Sequence, residues 1–384
     1  MKITISVLGR FQLFHLAREL QEHGHLQRLI TSYPKFETVK YGIAEKNLKS
    51  LVVHEVLNRV GVNFPQRLRA VYDPQYLVFE LFDRHAAWHI PKDTEIFVGL
   101  SSGARHSMRR AQRLGAKTVL ERGSTHMLHQ RRVLTEEYAR WGSKAVIVHP
   151  QVVAKELAEY READFISVPS QYVKRTFLEQ GVPEHKLIQN PYGVNLSNFY
   201  PVPKQDRIFR VIHCGNLSIR KGLPYLLQAF WELNLPQAEL WLIGKVTEEI
   251  APFLKKFSSP GIVLKGTFPE RELNRQMSQG SVFCLASIEE GLAMVQAMAM
   301  ACGLPLVITN HTGGEDIVRD GVEGFIVPVR DVEALKEKIL YLYENEAARQ
   351  AMGAAARARV RQGFTWQDYG ERMIKHYQKI LAKT

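Results

Sequence analysis

The stretch SVFCLASIEEGLAMVQAMAMACGLPLVIT, residues 281–309, reads as an apolar strand ending on Ser287, the turn IEEG, an Ala- and Met-rich helix and a second strand. A strand, a crossover helix and a strand in succession predict parallel pairing, with the sheet covered on both faces.

Two carboxylates, Glu289 and Glu290, stand at the mouth of that helix, which is expected from about Leu292 to Ala301. The helix dipole favours a carboxylate there by about 0.3–1 kcal/mol, so either could simply cap. The helix itself has almost no polar face: Met294, Val295, Met298 and Met300 alternate with alanines. Such a helix is buried. Its first-turn amides then point into the protein or a sequestered cleft, where they bind anions while a nearby carboxylate accepts from hydroxyls. Phosphate plus polyol describes a nucleotide sugar.

The pattern repeats along the chain. ITISVL, EIFVGL, KTVLE, FISVPS, FRVIHCG, AELWLIG, GIVLKG, SVFCLAS, PLVIT and GFIVP read as buried strands. LFHLARELQEHG, GLPYLLQAFWELN, ERELNRQMSQ and DVEALKEKILYLYENEAAR read as helices. This alternation is the α/β signature. NPYGVNLSNFYPVPKQD, rich in Pro, Asn and Gly, marks a boundary near 190–207. The domains expected are 1–200, 201–363 and a closing helix over 364–384, with a ligand cleft between two facing sheets. Residues 41–90 fit least well. They read as ordinary helices or as an insertion touching a membrane or a hydrophobic acceptor.

Bulk properties agree. The 384 residues are 45% hydrophobic and suffice for two cores. Met1 runs into ITISVL, which reads as a strand rather than a secretory signal. Cys214, Cys284 and Cys302 are far apart in apolar sequence and read as buried thiols in a cytoplasmic protein. The net charge of +12 is uneven: residues 1–200 carry 28 Lys and Arg against 19 Asp and Glu. Arg109, Arg110, Arg113, Arg131 and Arg132 lie in that half and suggest an anionic partner, unless they form only a solvated basic face.

A second constellation, HCGNLSIRKGLPYLLQAF, spans residues 213–230. Gly215 opens a loop after a strand, and Arg220 and Lys221 precede a helix, where they offer donors to phosphate oxygens. With EGLAMVQAMAMACGLPLV and GGEDIVRDGVEGFIVP, this order and spacing resemble the donor domain of retaining GT-B glycosyltransferases of family 4. FTWQDYGERMIKHYQKIL resembles that family's closing helix, and LARELQEHGH and YGVNLSNFYP resemble its first domain more loosely.

The resemblance implies two Rossmann-like domains and a nucleotide-sugar donor. It gives Glu290 to the transferred sugar's hydroxyls, Lys221 to the phosphates and His126 to the sugar's primary hydroxyl; Arg220, beside Lys221, is expected to supply the phosphate-side charge that the family's Arg would carry. His126 reads equally as a helix-start residue. Donor contacts are expected from Gly9, Gly215, Asn216, Gly291, Leu292, Ala293 and Met294. Two positions depart from the pattern: Met298 replaces the second Glu expected at the ribose, and Asn216 replaces an Arg. Glu315 reads as a helix cap. The chain has no Asp-x-Asp motif, and no metal or cofactor is expected.

The function expected is hexosyl transfer, with retention, to a lipid-linked, glycan or small-molecule acceptor at the inner face of the cytoplasmic membrane. A sugar-nucleotide epimerase and a non-enzymatic basic binding protein are the alternatives. Nucleic acid is not an expected partner, because the arginines are not interleaved with stacking aromatics.

Overall fold

The computed structural model describes residues 1–62, 74–142 and 148–382. Its first sheet is built from β1 (Ile3–Val7), β2 (Leu26–Thr31), β3 (Leu48–Ser50), β4 (Ile96–Leu100), β5 (Lys117–Glu121), β6 (Phe165–Val168) and β7 (Leu187–Gln189). The order is β3-β2-β1-β4-β5-β6-β7, and every pairing is parallel. The second sheet holds β8 (Phe209–Cys214), β9 (Ala238–Ile243), β10 (Ile262–Gly266), β11 (Val282–Leu285), β12 (Leu306–Thr309) and β13 (Gly324–Val327). Its order is β10-β9-β8-β11-β12-β13, again all parallel. The strand order therefore reverses between β1 and β4 and between β8 and β11. Loops beyond the carboxyl ends of those strands form the binding crevice of each sheet.

All ten stretches read as strands form strands. β2, β3 and β7 escape the apolar pattern for separate reasons. β2 carries Gln27, bonded to Asp93 at 2.6 Å, and Arg28, bonded to the His89 carbonyl at 2.9 Å. β3 and β7 are three-residue edge strands. The helical pattern over 331–349 is two helices, Val332–Glu344 and Glu346–Arg361. They part at Asn345, whose side-chain amide donates to the Tyr341 carbonyl at 2.9 Å and competes with the helix. Residues 41–62 and 74–90 fold as β3 and two helices, Val52–Val62 and Pro74–Ala87; residues 63–73 lie outside those described.

The closing helix, Trp366–Ala382, packs on the first helix, Leu13–Glu22. His15 stacks on Trp366 with ring centroids 4.0 Å apart. Arg372 donates to the Asn190 side chain at 2.7 Å and the Pro191 carbonyl at 2.8 Å. One apolar core runs from the first sheet through this helix to the Met294–Ala301 helix of the second half. The three cysteines are free and buried.

Candidate active site

Three loops of the second sheet converge: 215–222 after β8, 286–293 after β11 and 310–315 after β12. Their backbones are joined, with the Ile288 amide donating to the Arg220 carbonyl at 2.9 Å and the Glu290 amide to the His311 carbonyl at 3.0 Å. Gly222 makes the first junction possible. It adopts φ +65°, and a Cβ there would overlap the Ala286 carbonyl. At this junction Lys221 Nζ lies 2.6 Å from Glu290 Oε1. The structure thus brings together two of the residues expected at the donor.

The IEEG turn caps nothing. The helix starts at Met294, two residues later than expected, and its N-cap, Ala293, lends no side chain. The amides of Gly291, Leu292, Met294 and Val295 have no hydrogen-bond partner among the described residues. They are donors at the positive end of a helix. The helix is largely buried, though Met294 is exposed and Met298 is half-buried against the core. Gln296 is fully buried and donates to the Thr312 carbonyl at 3.1 Å, which fixes the third loop.

Glu289 was missed as a site residue. Its carboxylate is 0% exposed and joins the two halves of the chain. It lies 2.9 Å from the Arg220 guanidinium. From the first half it accepts the Ser124 hydroxyl at 2.6 Å, the Thr125 hydroxyl at 2.6 Å and amide at 3.1 Å, and the Gln130 amide at 3.1 Å. Burial alone would raise its pKa, but Arg220 and the hydroxyl bonds outweigh it and hold the group at about 2. Arg220 also donates to the Glu289 carbonyl at 3.1 Å. It serves first as this carboxylate's counter-charge.

Other bonds cross the same boundary. Ser170 donates to the Gly291 carbonyl at 2.6 Å, and a Cβ on Gly291 would overlap the Gly123 carbonyl. Glu137, buried on helix Met127–Arg140, takes Arg330 at 2.5 Å and the Tyr225 hydroxyl at 2.8 Å. Glu315 is not a helix cap. It pairs with Arg175 of the first half at 2.8 Å.

His126 falls at the helix-start position. It is the N-cap of Met127–Arg140, with Nδ1 accepting from the Leu128 amide at 3.3 Å. The ring is 3% exposed and packed between Tyr160 and Phe177, with centroids 5.0 and 4.9 Å away. Burial, then the Arg122 charge, lowers its pKa to about 4, so it is neutral. Gly9, at φ +82°, lies in the loop just after β1, in the first crevice, and donates to Ser32 Oγ at 2.8 Å. Gly215 opens the β8 loop at φ +140°; Asn216 is exposed and makes no side-chain hydrogen bond among the described residues. The described residues contain no group of three or more His, Cys, Asp or Glu side chains placed to hold a metal ion.

Residues 208–345, which carry this whole loop cluster, match the family profile described as glycosyl transferases group 1. The C-terminal domain is a member of that family. The chain is 27% identical over 242 residues to the GDP-mannose-dependent monoacylated alpha-(1-6)-phosphatidylinositol monomannoside mannosyltransferase of Corynebacterium glutamicum. That match covers 56% of this chain and 62% of the relative. Sulfoquinovosyl transferase SQD2 of Arabidopsis thaliana is 30% identical over 215 residues, 52% of this chain and 41% of the relative. The chain thus spans less than two thirds of each of these two curated relatives. Over its full length it superposes on sucrose-phosphate synthase from Thermosynechococcus elongatus, with TM-score 0.72, 18% identity and 100% of both chains covered. Anabaena HepE, solved in complex with UDP-glucose, gives TM-score 0.71, 14% identity and 100% of both chains. The fold around the group 1 domain is therefore GT-B.

Proposed function

We propose that this chain is a glycosyltransferase that moves a hexose from a nucleotide-sugar donor to an acceptor with retention of anomeric configuration. One observation carries the proposal: Lys221 and Glu290 meet at 2.6 Å beside the unbonded amides of Gly291 and Leu292, inside the segment that matches the group 1 family.

The chemistry follows from charge. The bond from the sugar's anomeric carbon to the β-phosphate oxygen breaks, and its electron pair leaves with the nucleoside diphosphate. Lys221 and the amides at the head of Met294–Ala301 meet the developing charge in place of a divalent ion. Glu290, freed from Lys221 by the phosphate, accepts from the sugar's hydroxyls. The acceptor oxygen attacks from the face the phosphate leaves, and its proton passes to the departing phosphate oxygen. Arg220 keeps the site assembled by holding Glu289. His126 caps its helix and supports the wall of the cleft.

The acceptor is proposed to be lipid-linked or anionic, at the inner face of the cytoplasmic membrane. The contact proposed there is peripheral; no described helix is long and apolar enough to cross a membrane. The test is release of nucleoside diphosphate from a panel of sugar nucleotides. Turnover that forms a glycoside and falls at least about 100-fold in Lys221→Ala supports transfer. An altered free sugar nucleotide with no glycoside would identify an epimerase instead.

A further inference from the structure

The N-terminal half turns much of its apolar surface outward. Among the described residues, ten of the nineteen exposed large apolar side chains fall between Phe11 and Trp88. Helix Val52–Val62 presents Val53, Val56 and Leu57, three and four positions apart and so on one face. Helix Pro74–Ala87 presents Leu77 and Leu81, and Trp88 continues that line. Val53 is 70% exposed and Trp88 81%. The helices pack together, with His54 Nε2 3.1 Å from His85 Nδ1, so the stripes adjoin. Single exposed apolar residues are ordinary, but a continuous strip marks an interaction surface.

Positive charge lies at both ends of the strip. Beside Trp88, a cavity of about 740 Å³ is lined by Arg84, Arg109, Arg110 and Arg113. Arg110 makes no ion pair among the described residues. At the other end, a cavity of about 440 Å³ is lined by Arg10, Tyr33, Phe36, Val56 and Arg59. Its lining is tied by hydrogen bonds to Gly9 in the crevice of the first sheet. Arg59 pairs with Glu55 at 3.0 Å, Glu55 accepts from Ser32 Oγ at 2.8 Å, and Ser32 Oγ accepts from the Gly9 amide at 2.8 Å.

We infer that this strip rests on an anionic bilayer and that the cavity beside Gly9 receives the polar head of an amphiphilic acceptor drawn from it. Val53, Val56, Leu77, Leu81 and Trp88 sit among the headgroups, while Arg84, Arg110 and Arg113 meet lipid phosphates. Charge selects this occupant over a second copy of the chain. Two copies joined through the strip would bring the same arginines together, whereas anionic lipid neutralises them. The acceptor half of the inference rests on the glycosyltransferase proposal; the bilayer half does not.

Sedimentation of the full chain with phosphatidylcholine vesicles, and with vesicles containing about 30% phosphatidylglycerol, tests it. The parent should bind the anionic vesicles. Val53→Asp/Val56→Asp and Arg110→Glu/Arg113→Glu should each bind at least about tenfold less, at the parent's thermal midpoint. Dihexanoyl phosphatidylglycerol should raise that midpoint in the parent and not in Arg10→Ala. The inference is overturned if the parent ignores anionic vesicles, if the aspartate variant binds equally, or if the aspartates merely disperse a parent dimer. An equal shift in Arg10→Ala overturns the acceptor half. Vesicle binding without sugar-nucleotide binding would sink the transferase proposal alone, and the converse would sink this one alone.

Discussion

Glu289 and Arg220 lie 2.9 Å apart, and the carboxylate of that pair is held from its other side by Ser124, Thr125 and Gln130 of the opposite half of the chain. One buried charge therefore fixes both the 215–222 loop and the mutual position of the two sheets. Removing it leaves a guanidinium and three side-chain donors without their acceptor. Glu289→Ala should cost about 3 kcal/mol, at the low end for a broken buried pair because Arg220 is 36% exposed. The check is the thermal midpoint. Arg220→Met/Glu289→Leu should recover part of the loss, and a midpoint unchanged in Glu289→Ala would contradict the role.

Lys221 and Glu290 should separate from Glu289 in their effect. Both are partly exposed and their pairing is local. Lys221→Ala and Glu290→Ala should each keep the parent's circular dichroism and thermal midpoint to within about 1 kcal/mol while turnover falls at least about 100-fold. Parental turnover in both variants would place the donor elsewhere.

Gly291 is small because the other half of the chain touches it. A methyl group there meets the Gly123 carbonyl, and Ser170 already holds the Gly291 carbonyl. Gly291→Ala should push the domains apart at a cost of about 1–3 kcal/mol. Small-angle scattering should show a larger radius of gyration, with unchanged secondary structure. An identical radius and midpoint would show that the two glycines are not in contact in solution.

His126 predicts a pH dependence. Its folded pKa, about 4, lies below the ordinary 6.5, so the unfolded chain binds the extra proton between those values. Its stabilising contribution is complete above about pH 6.5 and is lost as the pH falls toward 4. His126→Asn keeps a capping side chain without the titration. The parent's midpoint should fall more steeply than the variant's between pH 6.5 and 4; parallel curves would refute this.

Much of this was legible in the sequence. Lys221 and Glu290 each sit in the loop that follows an apolar strand, within a few residues of a glycine and a helix start, so local pattern locates them. Glu289 was not legible as a tie between domains. Its partners in the first half lie 159 to 165 residues away in the chain, and adjacency to Glu290 says nothing about which carboxylate faces inward. His126 reads two ways in the sequence because a strand-turn-helix pattern places the residue but not its χ angles. The split at Asn345 was hidden because its flanks are strong helix formers on both sides.

Isothermal titration of the full chain with a panel of sugar nucleotides, in the presence of chelator, tests the central proposal most directly. At least one compound should bind the parent with Kd below about 1 mM, and Lys221→Ala should weaken it at least about tenfold. No binding by any of them, or equal binding by parent and variant, would contradict it.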